Sequence, residues 1–190
     1  LLRKGFKFIL SSNLVEAQLS YLPPNIGGTV YFYPGSDSPP LITLNSLYFE
    51  GKTGKVDLKE LIEECEKKGN LTGLEIIFHE LYHVKTLQKM LKSDEALIEG
   101  AAYFYGKYKA WKEILKDKIP NAEIEAYRRA IEELEKEKKR AEEYGIIGFL
   151  KTYIEPALKI AKSVDPWSAE EKLLYEVPNY TNLADLTDAS

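Results

Sequence analysis

The sequence feature that most constrains the fold is a change of residue pattern near Val56. The first fifty residues contain stretches rich in β-branched and aromatic residues, namely FKFIL, GTVYFYP and PPLITLNSLYF. Between them lie LPPNIGG and PGSDSPP, which are typical of turns. From Val56 onward, apolar residues recur at helical spacing instead. A sheet followed by helices predicts an α+β fold.

The chain has 190 residues. This length is enough for one well-packed domain and too short for two domains that each have a sizeable core. We predict a single domain over residues 1–190, with a β-rich region (residues 1–50), a first group of helices (residues 56–118), a helical C-terminal region (residues 121–177) and a tail (residues 178–190). The tail, PNYTNLADLTDAS, has neither helical nor strand periodicity, so we expect it to be loosely held.

The ends of several helices can be predicted from capping residues. We expect Asp57 to cap the first helix and Gly69 to end it, and a second helix to run over about residues 72–91. Ser93 is the expected cap of the third helix. Further along, Pro156 should kink or break a helix, and Ser168 with Glu171 should form a capping box.

Composition excludes several classes of function. A net charge of −4 with interspersed signs argues against nucleic acid as a partner, and no apolar run approaches the roughly 20 residues of a membrane span. The single cysteine, Cys65, lies on an apolar helical stripe, so we expect a buried residue and no intrachain disulfide. The composition is thermophile-like, with one Met and abundant Glu and Lys. It leaves the compartment open and slightly favours the cytoplasm.

The stretch FHELYH contains both histidines of the chain, His79 and His83. Residues four apart lie on one face of a helix, so two imidazoles at this spacing can bind one Zn²⁺ at about 2.0–2.1 Å. Glu80 lies about 100° around the helix from His79 and can reach the open side of the metal without binding it. The pattern therefore predicts a site for one zinc ion per chain, with Glu80 as general base.

A third metal ligand must come from elsewhere in the chain. An extended metzincin motif would need a glycine and a third histidine where the chain has Thr86 and Lys89. Because Cys65 is expected in the core, a carboxylate on the next helix remains: Asp94, Glu95 or Glu99.

Glu99 is our preferred third ligand. Asp94 and Glu95 are explained by favourable charge at the start of a helix, whereas Glu99 lies in mid-helix among apolar residues. The neighbouring Gly100 and Gly106 would let another helix approach closely, as a shared metal requires. Glu95, one turn earlier, is the reserve candidate, or a residue that orients a ligand.

The sequence from His79 to His83, followed by Glu99-Gly100-Ala101-Ala102, resembles the gluzincins, the thermolysin-like clan of zinc metallopeptidases, and in size their compact, minigluzincin-like members. The resemblance covers about residues 41–108. It implies that His79, His83 and Glu99 bind zinc, that Glu80 is the general base, and that peptide or protein substrates are cleaved. It also implies a strand along the cleft to which the substrate adds, and LITLNSLYF is the expected strand.

The chain departs from the gluzincin pattern at two points. Tyr103 replaces the acid expected one turn after the glutamate ligand, which leaves the residue that orients His79 unassigned. No further histidine is present to stabilise an oxyanion. A tyrosine could do so instead, and Tyr144, Tyr153 and Tyr175 are candidates that the sequence does not rank.

Two other interpretations stay open. The protein can be a zinc-binding but latent or non-proteolytic relative whose tail supplies Asp185 or Asp188 to the metal, in which case deleting the residues after Val177 would raise activity. It can also be a metal-free helical interaction domain. The sequence does not indicate an oligomeric state.

Overall fold

The computed structural model describes residues 15–187. The predicted strand FKFIL and the candidate ligand Asp188 lie outside this range. Within the described residues, a small sheet is followed by helices, which confirms the predicted α+β fold. None of the helices described there is both long and apolar enough to cross a membrane.

The sheet has four strands in the order β2-β3-β1-β4. They are β1 (Glu16–Ser20), β2 (Gly28–Tyr31), β3 (Leu41–Asn45) and β4 (Gly54–Val56). Strand β1 pairs in parallel with β3, and the two outer strands are antiparallel to their neighbours.

The prediction that LITLNSLYF borders the cleft is wrong, because its strand, β3, lies inside the sheet. Both Ile42 and Leu44 of β3 are fully buried. The outer strand on this side is β2, whose residues alternate between partly buried and exposed. The more apolar strand therefore takes the central position, where the hydrophobic effect favours it.

Four long helices follow the sheet: α1 (Leu58–Lys68), α2 (Leu71–Thr86), α3 (Glu95–Leu115) and α4 (Ala122–Tyr144). The C-terminal region consists of short segments. These are α5 (Ile147–Phe149), a π-helical turn (Leu150–Ile154), α6 (Glu155–Ser163), a 3₁₀ turn (Pro166–Ser168), α7 (Ala169–Glu171), a second π-helical turn (Lys172–Glu176) and two 3₁₀ turns (Val177–Asn179 and Leu183–Asp185).

Most predicted helix ends are close to those in the structure. The Asp57 side chain accepts a hydrogen bond from the Glu60 N–H, and Gly69 ends α1 in the left-handed region at φ 66°. Helix α2, however, ends at Thr86, earlier than predicted. The predicted capping box is absent, since Ser168 makes no cap hydrogen bond and the Asp165 side chain caps the preceding 3₁₀ turn. The α-helical pattern is interrupted just before Pro156, as predicted, by the first π-helical turn.

Both the cap of α3 and the tail differ from the prediction, and the two differences are linked by contacts between them. The Asp94 side chain, not that of Ser93, accepts the Leu97 N–H at 2.8 Å, while the Ser93 hydroxyl donates to the Tyr180 carbonyl at 2.7 Å. The same Asp94 carboxylate also accepts the Leu183 N–H at 3.2 Å. The described residues of the tail are therefore held against the start of α3, and the prediction of a loosely held tail is wrong there.

Helices α2 and α3 pack closely because α3 carries glycine where they meet. A Cβ added at Gly106 would lie 2.7 Å from the Glu75 carbonyl oxygen and 3.3 Å from the His79 Cβ. On another side of α3, a Cβ at Gly100 would lie 2.6 Å from the Pro156 Cβ. The predicted close approach is thus confirmed, and it brings α3 against the helix that carries both histidines. Cys65 is buried, also as predicted.

Candidate metal centre

The histidine helix, α2, is anchored by its apolar side. Its N-terminus is capped by the Asn70 side chain, which accepts the Gly73 N–H at 3.0 Å. Leu74, Ile77 and Leu81 are buried in the core. Because these side chains fix the rotation of the helix, His79 and His83 are held on a different face, where both are partly buried.

Three predicted ligand residues converge at one point. The Nε2 atoms of His79 and His83 lie 3.2 Å apart, and each lies 3.5 Å from Oε2 of Glu99. Among the residues from 15 to 187, they form the one group of three or more His, Cys, Asp or Glu side chains able to share a metal ion.

The triangle formed by these atoms has the size that zinc requires. In a tetrahedral site with bonds of about 2.0–2.1 Å, the ligand atoms are about 3.3–3.4 Å apart. The separations of 3.2, 3.5 and 3.5 Å agree with that value. Two nitrogen atoms and one carboxylate oxygen are also a donor set typical of catalytic zinc sites, which keep the fourth position for water or substrate.

The electrostatics of the cluster favour an ionised Glu99. Burial acts to raise the pKa of Glu99, but the two imidazoles outweigh it and lower that pKa to about 2. Conversely, burial acts to lower the pKa of His83, while hydrogen bonding and charge from Glu99, together with the charge of Glu80, raise it overall. The carboxylate therefore creates a strong preference for positive charge between the rings, which a bound cation would satisfy.

Glu80 lies beside the three ligands without joining them. Its side chain is buried, with 7% of the residue exposed, and burial raises its pKa despite the opposing effect of both histidines. Its carboxylate accepts no hydrogen bond from any described residue. A desolvated carboxylate without a fixed partner is suited to accepting a proton.

Strand β2 passes directly over Glu80, because it has glycine at the point of contact. A Cβ added at Gly28 would lie 3.0 Å from the Glu80 Cγ, and one added at Gly27 would lie 2.9 Å from the Ile76 side chain. Only one edge of β2 is paired with another described strand, β3. The sequence analysis predicted a strand at GTVYFYP, which contains β2, but assigned the position beside the site to LITLNSLYF.

The other carboxylates considered as ligands do not join the cluster. Neither Glu95 nor Asp185 belongs to the group of possible metal ligands among the described residues. The Asp94 carboxylate already accepts the Leu97 N–H, which caps α3, and the Leu183 N–H of the tail.

Tyr103 contacts His79 through its aromatic ring and does not accept a hydrogen bond from the imidazole. The two rings meet edge to face with centroids 6.3 Å apart. The Tyr103 hydroxyl points to α4, where it donates to Glu137 at 2.8 Å. The buried Lys107 ammonium lies 4.9 Å from the centre of the Tyr103 ring and 2.9 Å from the Glu137 carboxylate. Tyr103 is thus fixed from α4, and its ring limits the rotation of the His79 imidazole.

The structure ranks the three candidate tyrosines. Tyr144 is highly exposed, and Tyr175 lies beside Lys89, whose ammonium is 5.2 Å from the centre of its ring. Tyr153 packs on the Tyr103 ring at 5.8 Å. Its pKa is raised by burial and then by the charges of Glu99, Glu95 and Glu80, so of the three it is the one placed within electrostatic range of the candidate ligand cluster.

The position of Tyr153 depends on an interrupted helix that the sequence pattern does not reveal. It lies in the π-helical turn Leu150–Ile154, which changes the direction of its side chain relative to an α-helix. Its hydroxyl makes no hydrogen bond within the described residues of the chain.

In comparisons with known proteins, no family model, curated protein or solved structure matches this chain. Inference about function therefore depends on the site itself. That site combines three converging candidate ligand atoms, a desolvated glutamate, a strand edge that pairs with no other described strand, and a nearby tyrosine.

Proposed function

We propose that the protein is a zinc-dependent metallopeptidase of the gluzincin type. The observation that carries the proposal is the triangle of 3.2, 3.5 and 3.5 Å formed by His79, His83 and Glu99, with Glu80 adjacent to it. A bound zinc ion would act as a Lewis acid and make a water molecule acidic at neutral pH.

The side chains of the chain itself would complete the reaction. Glu80 accepts a proton from the attacking water and delivers it to the amine that leaves when the peptide bond breaks. The Tyr153 hydroxyl donates a hydrogen bond to the carbonyl oxygen as negative charge develops on it. The Tyr103 ring and the close contact at Gly106 keep His79 in position.

A peptide substrate is proposed because of the strand beside the site. One edge of β2 pairs with no strand within residues 15–187, and it offers backbone N–H and C=O groups close to Glu80. An extended peptide can pair with such an edge, which aligns its carbonyl groups along the cleft. This arrangement favours a polypeptide over a small metabolite.

The first experiment measures zinc per chain by elemental analysis in the parent protein and in Glu99→Ala, with Glu95→Ala as the matched control. We expect about one zinc in the parent and in Glu95→Ala, and a loss in Glu99→Ala. A parent without zinc, even after incubation with the metal, would refute the proposal in favour of a metal-free interaction domain.

The second experiment separates catalysis from metal binding. Glu80→Gln should keep its zinc while cleavage of an internally quenched peptide library falls roughly 10²–10⁴-fold, because only the proton transfer is removed. A zinc-loaded parent that cleaves no member of the library would favour the latent or non-proteolytic interpretation instead.

Deletion after Val177 is not a clean test of latency. Residues from Tyr180 to Leu183 make hydrogen bonds with Ser93 and Asp94 at the start of α3, which also carries Glu99. Removing them would disturb the ligand helix, so lower activity in the truncated chain would reflect damage to the site. Asp185→Ala leaves these hydrogen bonds in place and is the better variant for testing a tail carboxylate on the metal.

A further inference from the structure

The connection between β1 and β2 has to cross the end of β3. In the order β2-β3-β1-β4, strands β1 and β2 are separated by β3. Ser20, the last residue of β1, is paired with Asn45, the last residue of β3. Gly28, the first residue of β2, is paired with the preceding residue of β3, Leu44. Residues 21–27 therefore pass the end of β3 at Asn45 before β2 begins, and we call these residues the crossing loop.

Asn45 is fully buried, and its side-chain amide binds the crossing loop. Its Nδ2 donates to the carbonyls of Leu22 at 3.1 Å, Pro23 at 3.1 Å and Ile26 at 2.9 Å. Its Oδ1 accepts the N–H of Leu22 at 3.3 Å and that of Leu47 at 3.1 Å. Because these bonds need two N–H donors and a carbonyl acceptor on one short side chain, neither aspartate nor serine can make the same set.

The crossing loop needs donors from outside because two of its residues are prolines. Pro23 and Pro24 have no N–H, so the loop has fewer donors of its own for its carbonyl groups. The Pro24 carbonyl accepts a hydrogen bond from the Tyr48 hydroxyl. The backbone N–H of Asn45 donates to the Gly27 carbonyl at 2.8 Å. Asn45 therefore binds the loop from its second residue to its last.

The end of the crossing loop determines where β2 lies relative to α2. A Cβ added at Gly27 would lie 2.9 Å from the Ile76 side chain, and one added at Gly28 would lie 3.0 Å from the Glu80 Cγ. The backbone at these glycines is thus already at contact distance from the helix that carries the candidate general base. A displacement of about 1 Å here would misalign a bound peptide with the reacting groups, which can cost roughly 10²-fold in rate.

We propose that Asn45 is a positioning residue for the peptide substrate, acting through the crossing loop on the edge of β2. The inference rests on the proposed function and adds the residue that sets the substrate-binding strand in place. None of the hydrogen bonds of the Asn45 side chain involves a residue of α2 or α3. Asn45 should therefore affect the binding of extended peptides and leave the metal ligands undisturbed.

The test uses two zinc-binding probes, acetohydroxamate and acetyl-trialanine hydroxamate. The first is small enough to contact the metal centre alone, whereas the backbone of the second can also pair with β2. Their dissociation constants are measured by titration calorimetry on the zinc-loaded full chain. We expect the parent to bind the trialanine probe roughly tenfold more tightly than acetohydroxamate. Asn45→Ala should lose most of that preference while its zinc content and its affinity for acetohydroxamate stay unchanged.

Kinetics with an internally quenched peptide give an independent measure of the same effect. In Asn45→Ala we expect KM to rise by a larger factor than that by which kcat falls. The reason is that the substrate-binding strand is displaced while the metal ligands and Glu80 remain in place.

Tyr48→Phe is a milder second variant, because it keeps the ring and loses only the hydrogen bond to Pro24. It should reduce the preference for the trialanine probe by a smaller factor, roughly threefold. The matched control is Tyr127→Phe, which removes the same kind of bond, from a phenol to the Ala161 carbonyl at 2.6 Å, in the helical part of the chain. The control should keep the full preference.

An unchanged preference in Asn45→Ala would overturn the proposal, and if that variant does not fold, an unchanged preference in Tyr48→Phe would do so. A parallel loss of affinity for both probes would also overturn it, because Asn45 would then support the fold in general. Equal affinities of the parent for the two probes would mean that the edge of β2 binds no peptide backbone, with the same consequence. A parent that binds neither zinc nor either probe would instead refute the proposed metal site itself.

Discussion

Glu99 lies in the second turn of α3, and its carboxylate is held 3.5 Å from two imidazole nitrogens of α2. A partly buried carboxylate in an apolar helix is unfavourable unless something compensates its charge. Its low pKa reflects that compensation by the histidines. At the scale of single residues, the side chains of Glu99, His79 and His83 therefore meet at one point, and Glu80 and Tyr153 lie near it.

Tyr153→Phe tests the proposed hydrogen bond to the reacting carbonyl. The variant keeps the ring that packs on Tyr103 and loses only the hydroxyl. We expect kcat for peptide cleavage to fall roughly 10²-fold or more while zinc content and KM change little, since the bond strengthens only as charge develops.

Tyr144→Phe is the matched control for Tyr153→Phe, because this exposed hydroxyl lies at the end of α4. It should leave kcat unchanged. If Tyr153→Phe also retained the parent kcat, the hydroxyl would have no role in catalysis and a different donor would have to be sought.

At the scale of elements, the contact between α2 and α3 determines whether the ligands meet. Gly106→Ala adds a Cβ that would lie 2.7 Å from a backbone oxygen of α2, so the helices must separate. We expect the free energy of unfolding to fall by about 1–3 kcal/mol and zinc to bind more weakly, since His79 lies at this contact. Urea unfolding and competition with a chelator measure the two effects.

Gly148→Ala is the control for Gly106→Ala. A Cβ at Gly148 meets no atom within 4 Å, and this glycine has no positive φ that would strain alanine. Its stability and zinc affinity should match the parent or exceed it slightly. A similar loss in both variants would show that the closeness of α2 and α3 is not what assembles the site.

At the scale of the whole molecule, a buried charge cluster joins α2, α3 and α4. The Lys107 ammonium lies 3.3 Å from Glu75, 3.6 Å from Glu133 and 2.9 Å from Glu137. One cation faces three carboxylates, and burial raises the pKa of Glu75 to about 8. Glu75 therefore holds a proton in the folded protein at a pH where the unfolded chain releases it.

This cluster predicts how global stability depends on pH. Between about pH 4.5 and 8 the folded state binds the Glu75 proton more tightly than the unfolded state, so the free energy of unfolding falls as pH rises. Glu75→Gln stays neutral and removes this effect. The variant should therefore gain stability relative to the parent from pH 5 to pH 8, with a slope of at most about 1.4 kcal/mol per pH unit.

Urea unfolding of both proteins without zinc, at pH 5, 6, 7 and 8, measures that difference. The absence of metal matters because zinc binding also depends on pH, through protonation of the histidines. A difference between the two proteins that stays constant over this range would mean that Glu75 is ionised throughout.

The sequence by itself determined the features that depend on neighbours along the chain. The spacing of His79 and His83 sets them on one face of a helix wherever that helix packs. The position of Glu99 among apolar residues predicted it as the third ligand of a metal, and Gly100 and Gly106 predicted the close contacts between helices. The change of periodicity near Val56 was likewise enough to predict an α+β fold, because strand and helix patterns are local.

Tertiary structure alone decided the features that depend on distant partners. Strand β2 took the edge above Glu80 because the more apolar β3 was buried inside the sheet. Asp94 replaced Ser93 as the cap because the tail, nearly ninety residues away, engaged both side chains. A π-helical turn placed Tyr153 within range of the charges of Glu99 and Glu80 in the candidate site. A local pattern encodes which face of an element is apolar, but the free energy of packing and hydrogen bonding across the molecule selects what that face meets.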